Sequence, residues 1–523
     1  MRMMSTSRAA VAMVAIAGAA AVTSHAQGAR QGQGSGAAGA QSEPRAVAPI
    51  EDTYFPMPVP AADQAYSAID GKRLHAYVVE QSGISRRYRD QGHPQFWGRI
   101  IGTSSDTESA QWLLDKFKQL GLTETRIQPV DLAPQWMPQS WEVTATGGTG
   151  KTLHLEGSAQ PAYGTPGTSA EGLDVDVVYV GLGSEADFAG RDVRGKAALV
   201  VSMPKPGPGA GQTGALKRAE EHGAVAIFDV LGLPGNLRYQ TYPVNTNVPT
   251  FALGMEDGQA LRDLIAASSG KARLKVRLDV KTVPNLKTAL VWGTLPGATD
   301  ETVYVIAHRD GWFDASSDNA SGVAAMLGLA EYFAKVPKAQ RRRTMVFVGT
   351  DGHHNTGIGG GAGREWLVAH RDEFFTKTAL MVNCEHPSNL QSYLINNNIQ
   401  HGNMPTAHQW YAGGPSRPKL QSIAVSAFRE FGLTTWMQPS PQPPGGDLGR
   451  FYWFLPGVAT SDNSFLHFHT TADTPETVPW SGLQAAARSY AKIIDQVNTL
   501  DLKDLHRPAT ADPRPPTPTT QQR

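Results

Sequence analysis

TVYVIAHRDGWFDASSDNASGVAAMLGLAEY, residues 302–332, decides the fold. Residues 303–307 form a short apolar run bounded by polar ones, the pattern of a strand buried on both faces of a parallel or mixed sheet. His308 and Asp310 then sit at the end of that strand. From Val323 the apolar residues take helical spacing, through Met326, Leu327, Ala330 and Phe333, with Asp318 and Asn319 where an N-cap belongs. A strand end and a helix start therefore share one crevice. In open α/β sheets that crevice, at the carboxyl ends of the strands, is where ligands bind.

A lone histidine at a strand end is ordinarily a satisfied structural side chain. Here its company argues otherwise. Asp310 is placed to hold His308 in one tautomer, and Asp318, at the mouth of the helix, suits a carboxylate that bridges two metals.

The chain has 523 residues, 40% hydrophobic and 18% charged, enough for a large core and two or three domains. Basic and acidic residues balance at 47 each, so nothing favours nucleic acid or an anionic membrane as a partner. Residues 1–26 read as a secretory signal, with Arg2 and Arg8, an apolar run from Ala9 to Val22, and Ser24-His25-Ala26 as a cleavage site. No later segment reaches spanning length, so no integral membrane segment is expected after cleavage. Cys384 is the single cysteine, which excludes an internal disulfide; the exported chain, secreted or periplasmic, must be held by its core, with metal left open as a further tie, rather than by disulfides.

Residues 27–60 read as a flexible leader and 503–523 as a disordered, Pro- and Thr-rich tail. In GRIIGTSSDTESAQWLLDKFKQLG, residues 98–121, Ser105 and Glu108 make the pattern of a capping box, with Trp112, Leu113, Phe117 and Leu120 as the apolar stripe of one packing helix. Between residues 129 and 285 the texture changes to short strands, VDVVYVG, KAALVVS, AVAIFDV and LKVRLDVK, around the helical GALKRAEEHG and MEDGQALRDLIAAS. The AEEHG within it reads as a solvated helix face. From Leu286 the α/β texture returns, with strands near Ala289, Val303, 344–348 and 379–382. GIGGGAG, residues 357–363, reads as a glycine-rich loop, since it does not directly follow a strand as a dinucleotide loop must.

Four later stretches bring candidate ligands toward His308 and Asp318: TDGHHNTG with His353 and His354, VNCEHP with Glu385 and His386, GGDLGRF with Asp447, and FLHFHTTADTPETV with His467 and His469. In order with HRDGW and DNASG, they resemble the co-catalytic zinc exopeptidases, the family of secreted aminopeptidases and of the glutamate carboxypeptidase and transferrin receptor type. DVRGKAALVV, KRAEEHGAVAIF and VPTFAL resemble the protease-associated domain. The resemblance implies an α/β, mixed-sheet peptidase domain with helices on both faces, in two parts (61–128 and 286–502), and a smaller β-rich insertion at 129–285.

Carried over residue by residue, the resemblance makes His308 and Glu385 ligands of one zinc and His354 and His469 ligands of another, with Asp318 bridging. It makes His353 and Asp310 the catalytic pair, His353 as the proton acceptor, and places Arg309, Trp312 and Phe468 at the substrate. Four positions depart from the family pattern. His353 and His354 stand where it has two glutamates, Glu385 where it usually has aspartate, and Phe468 where it usually has tyrosine. Imidazole and carboxylate suit zinc, and imidazole also suits iron, copper or nickel, so one ion or another divalent transition metal stays open beside two zincs. The implied activity is a secreted metal-dependent exopeptidase, aminopeptidase or carboxypeptidase, acting on a peptide or small amide. A metal-dependent hydrolase of another bond and a non-catalytic binding protein are the alternatives, and a homodimer is left open.

Overall fold

In the computed structural model, Thr302–His308 is a central strand of an eight-stranded mixed sheet. It runs parallel to Thr344–Thr350 on one side and to Thr378–Asn383 on the other. Gly457–Asp462 extends the parallel pairing beyond Thr378–Asn383. Lys287–Leu295 and then Thr123–Asp131 close one flank antiparallel; His408–Ala412 and then Thr435–Met437 close the other. The structure describes residues 57–506 apart from 203–212, 355–360, 397, 406–407, 414–416, 434, 438–443, 445 and 463–465. The signal segment, most of the leader, the first glycines of 357–363 and the tail beyond 506 lie outside these residues.

The strand is apolar from Val303 to Ala307 because both of its faces are covered. Val303, Val305 and Ala307 pack with Val323, Met326, Leu327 and Phe333 of the helix Ser321–Ala334, and with helices Gly71–Asp90, Ser104–Gln119 and Trp480–Val497. Tyr304 and Ile306 face the other way, onto Trp292, Leu367, Phe375 and Phe451. Full burial of one such side chain is worth about 1.5–3 kcal/mol, so a charge on either face cannot be accommodated. Helices thus lie on both faces of the mixed sheet, as expected for the fold class.

After Asp131 the chain leaves this sheet and returns to it at Lys287. Between those points lies a second eight-stranded sheet, in which Gln135–Thr146, Arg273–Val283, Leu173–Tyr179, Ala197–Ser202, Ala226–Leu231 and Thr250–Leu253 follow one another. It has its own cores, one around Trp141, Phe228, Phe251 and Leu261 and one around Phe188, Val200 and Leu216. Among the described residues no helix is long and apolar enough to cross a membrane.

Three local expectations are corrected. The capping box does not form: the helix starts at Ser104, so Ser105 falls inside the first turn, where its Oγ accepts the Ile100 N–H (3.1 Å), while Glu108 pairs with Arg87. Asp318 is not the cap of the next helix. A π-type turn, Ser316–Ala320, precedes Ser321, and Asn319 Oδ1 takes the Gly322 N–H (3.1 Å), which frees the Asp318 carboxylate for other partners. Order continues past residue 503 as the short helix Leu502–Leu505, because Leu505 is buried and His506 Nε2 reaches the Thr378 carbonyl (2.6 Å).

Candidate metal centre

The site begins with the loop that leaves the central strand. Gly311–Trp312 pairs with Gly98–Arg99 from the N-terminal part of the chain. A Cβ on Gly98 would lie 2.3 Å from the Gly311 carbonyl, and its φ of +147° lies in the range that favours glycine. The fully buried Arg99 guanidinium then donates to the carbonyls of Arg309 (2.7 Å), Asp314 (2.9 Å) and Ala315 (2.9 Å). Arg86 adds an ion pair to Asp314 at 2.6 Å. Carbonyls of an irregular loop are thereby tied to one buried cation, and the segment from His308 to Asp318 is held in one shape.

Asp318 stands at the centre of the cluster. Its Oδ1 meets His386 Nε2 at 2.8 Å and His308 Nε2 at 3.4 Å; its Oδ2 meets His354 Nε2 at 3.0 Å and His469 Nε2 at 3.1 Å. Burial pushes this carboxyl up, but His354 and His386 outweigh it and hold it well below the usual carboxylate range. Asp473 accepts the Ser317 and Asp318 N–H groups from behind (2.7 and 3.2 Å), and burial raises its own pKa to about 7.

Asp310 lies on the far side of two of these imidazoles. Its oxygens are 3.4 Å from His308 Nδ1 and 3.6 Å from His354 Nδ1, and Oδ2 accepts the His354 N–H at 2.8 Å. Burial lowers the His354 pKa, but Asp318 and Asp310 carry it up to about 10. His469 goes the other way, down to about 3, because burial dominates; its Nδ1–H donates to the Gln240 carbonyl of the inserted segment at 3.2 Å.

Glu385 and His353 form a second group beside the first. His353 Nδ1 is 2.9 Å from Asp447 Oδ1 and its ring stacks on His308 with centroids 4.3 Å apart. Burial lowers the His353 pKa, yet Asp447 and Glu385 leave it raised. Glu385 Oε2 accepts from Asn383 Nδ2 (2.8 Å) and the Asp447 N–H (3.3 Å), while Oε1 is 3.7 Å from His308 Nε2 and 3.8 Å from His353 Nε2.

Aromatic rings wall one side. Trp312 lies 4.8 Å from the His354 ring and 4.6 Å from His469, and Phe468 stacks on His469 at 3.7 Å. Tyr242, from the inserted segment, is 4.8 Å from His469. Sequence reasoning missed Tyr242, Arg99 and Asp473, and it quoted His386 without choosing it. Asp473 and Arg99 stand inside stretches quoted for other residues and Tyr242 in none, whereas His386 adjoins a candidate already chosen.

Arg309 is a correction. It does not face the cluster: its guanidinium is buried between Asp106 (2.7 Å) and Asp351 (2.7 Å) and also donates to the Asp106 and Ala289 carbonyls. The backbone at a strand end sends alternate side chains to opposite faces, so Arg309 points away when His308 points in.

The residues present fit a bound metal. Fully buried His308 Nδ1 and Nε2, Asp310 Oδ1, His354 Nδ1 and His469 Nε2 make no hydrogen bond, although an unmet buried polar atom costs about 1–3 kcal/mol. Asp318, His354 and His469 converge with ligand atoms within 4.8 Å of one another, as do His308, Asp318 and His386, and as do His308, His353 and Glu385. Imidazole and carboxylate are the donors that zinc takes.

The model of Peptidase family M28 matches residues 291–494. Aminopeptidase YwaD of Bacillus subtilis is 26% identical over 268 residues, which is 48% of this chain and 50% of that protein, so the chain spans about half the length of this curated relative. Among solved structures, a zinc aminopeptidase from Bacillus subtilis superposes with a TM-score of 0.57 at 18% identity, over 82% of this chain and 94% of that one. A peptidase M28 precursor from Shewanella amazonensis SB2B gives 0.63 at 16% identity, over 84% and 96%. These likenesses show the fold.

Proposed function

We propose that the protein, whose residues 291–494 match the model of Peptidase family M28, is an exported metal-dependent exopeptidase, cleaving peptide or related amide bonds. The observation that carries this reading is Asp318, one carboxylate with imidazoles on both of its oxygens, one of them from His308 at the carboxyl end of a parallel strand. His308, Asp318, His354 and His469 would hold zinc. When bound, zinc supplies Lewis-acid polarisation of the scissile carbonyl and lowers the pKa of water.

The chain's own residues supply the rest. Asp310 and the Gln240 carbonyl orient the imidazoles from behind, which is the usual support for a ligating histidine. His353 directs Nδ1–H at Asp447, so its Nε2 is the nitrogen available to accept a proton from an attacking water; such acceptors contribute about 10²- to 10⁴-fold. Trp312, Phe468 and Tyr242 exclude water on one side and offer an apolar surface to a substrate side chain. The sheet inserted between Asp131 and Lys287 belongs to the same reading as a protease-associated domain. It reaches the site through Gln240 and Tyr242. Export with cleavage after Ala26 is supported by the SHA motif behind a short apolar run.

The experiment is zinc loading of the mature protein, elemental analysis, and a panel of aminoacyl and acidic dipeptide substrates. The expected result is bound zinc and hydrolysis that a chelator removes and zinc restores. A chain that takes up no zinc, or hydrolysis that survives chelation undiminished, overturns the proposal. Zinc bound with no substrate cleaved supports the non-catalytic binding protein instead.

A further inference from the structure

The positions carried over from the family put Glu385 on the first metal beside His308. The side chains are arranged differently. His386 Nε2 is 2.8 Å from Asp318 Oδ1, on the same oxygen that faces His308. The ligand atoms of His308, Asp318 and His386 all lie within 4.8 Å of one another, and among the described residues no such group joins Asp318 to Glu385. Glu385 is turned the other way and tied there. Oε2 holds Asn383 Nδ2 and the Asp447 N–H, and Gly446 presses on the carboxyl so closely that a Cβ there would sit 2.4 Å from its Cδ.

His386 is held as firmly on the near side. Its backbone N–H donates to Asn319 Oδ1 (3.1 Å), the atom that also caps the helix after Asp318, so one amide sets the register between the bridging carboxylate and this imidazole. The residue has φ of +39°, a left-handed conformation that a bulky side chain adopts only where its surroundings impose it.

We infer that His386, not Glu385, completes the first metal site, so that the centre consists of two pairs of imidazoles, His308 with His386 and His354 with His469, divided by the single carboxylate of Asp318. This rests on the proposed function and specifies its metal set. Such a set carries one negative charge where the family pattern carries more. It therefore suits the borderline metals that imidazole favours, zinc, copper, nickel and iron, over magnesium, calcium and manganese, which prefer oxygen. Glu385 is left as a carboxylate beside His353 and His308 rather than a ligand.

The test is zinc binding by titration and elemental analysis on the full mature chain, wild type against His386→Ala, His386→Gln and Glu385→Gln. Far-ultraviolet circular dichroism of each variant confirms its fold. Loss of an outer-shell partner already weakens metal affinity about 10–100-fold, so loss of a ligand should exceed that. The expected result is that either His386 variant drops one zinc per chain, or binds it more than about 100-fold more weakly, while Glu385→Gln keeps wild-type stoichiometry. Manganese in place of zinc should bind weakly to the wild type. Zinc lost by Glu385→Gln and kept by the folded His386 variants overturns this inference and leaves the proposed function standing. A wild type that takes up no zinc overturns both. If neither His386 variant folds, Glu385→Gln decides alone: retained zinc supports the assignment and lost zinc overturns it.

Discussion

Replacing Arg309 with methionine separates a substrate-binding role from a structural one. Methionine fills much of the same volume but abandons two buried carboxylates, Asp106 and Asp351, each 2.7 Å from the guanidinium, and two carbonyls, of Asp106 and Ala289, each at 2.9 Å. Breaking a buried ion pair costs about 3–5 kcal/mol. The lower end applies here, because Asp351 can take up a proton. Burial already holds its carboxyl well above the usual range, with Arg309 opposing and Asp106 reinforcing the shift. Once protonated, Asp351 can donate to Asp106, so one charge stays uncompensated rather than two.

Arg309→Met should therefore unfold with about 3 kcal/mol less stability at neutral pH in urea melts followed by tryptophan fluorescence. The deficit should shrink as pH falls, since the folded variant then binds its proton more readily than the unfolded chain. Adding Asp351→Asn should recover more than about 1 kcal/mol. Per folded chain, KM for a cleaved peptide should not move. A variant within about 0.5 kcal/mol of wild type, or one whose KM rises while its stability holds, refutes the assignment.

Two further outcomes follow from other buried groups. Burial pushes Asp229 up to about 7 from 3.8, with the Ser202 hydroxyl working against it. Between those values the folded chain binds more protons than the unfolded one, so stability falls as pH rises; Asp229→Asn should be more thermostable than wild type at pH 8, and its advantage should shrink by up to about 3 kcal/mol at pH 5. A gap in melting temperature that ignores pH would refute this. Cys384 is fully buried and its thiol pKa is pushed up by burial, so an aromatic disulfide reagent should leave it unmodified until urea unfolds the chain. Rapid reaction under native conditions is the contrary result.

The central strand and its helix were legible because their signals are local. Val303 to Ala307 must be apolar to be buried on both faces, and Val323, Met326, Leu327 and Phe333 must recur at helical spacing to meet them. The structure also brings together His308, Asp310, Asp318, His354, Glu385 and His469, each standing in a short motif. What escaped depends on direction rather than identity. Arg309 and His308 are neighbours in sequence yet point to opposite faces. Glu385 and His386 are neighbours too, and the ties from Asn383 and Asn319 decide which one meets Asp318. The capping box failed by two residues of helix register, because the N-cap is Thr103 rather than Ser105. Arg99 and Tyr242 reach the site from other parts of the fold, and no spacing rule ties them to it.

The Arg99 clamp has a bearing on how the chain is made. Its guanidinium meets the Arg309 carbonyl across 210 residues; helix Gly71–Asp90 packs on helices Ser321–Ala334 and Trp480–Val497, and helix Ser104–Gln119 on strand Lys287–Leu295, all of which follow the whole inserted sheet. During synthesis at about 5–20 residues per second, these helices wait roughly 10–40 s for the surface that covers them. The inserted sheet, with cores of its own, can close in that interval. A fragment limited to 291–494 would lack the arginine that shapes the His308–Asp318 loop, the edge strand Thr123–Asp131 and two covering helices, and so would be a stretch of recognisable sequence rather than a unit that folds.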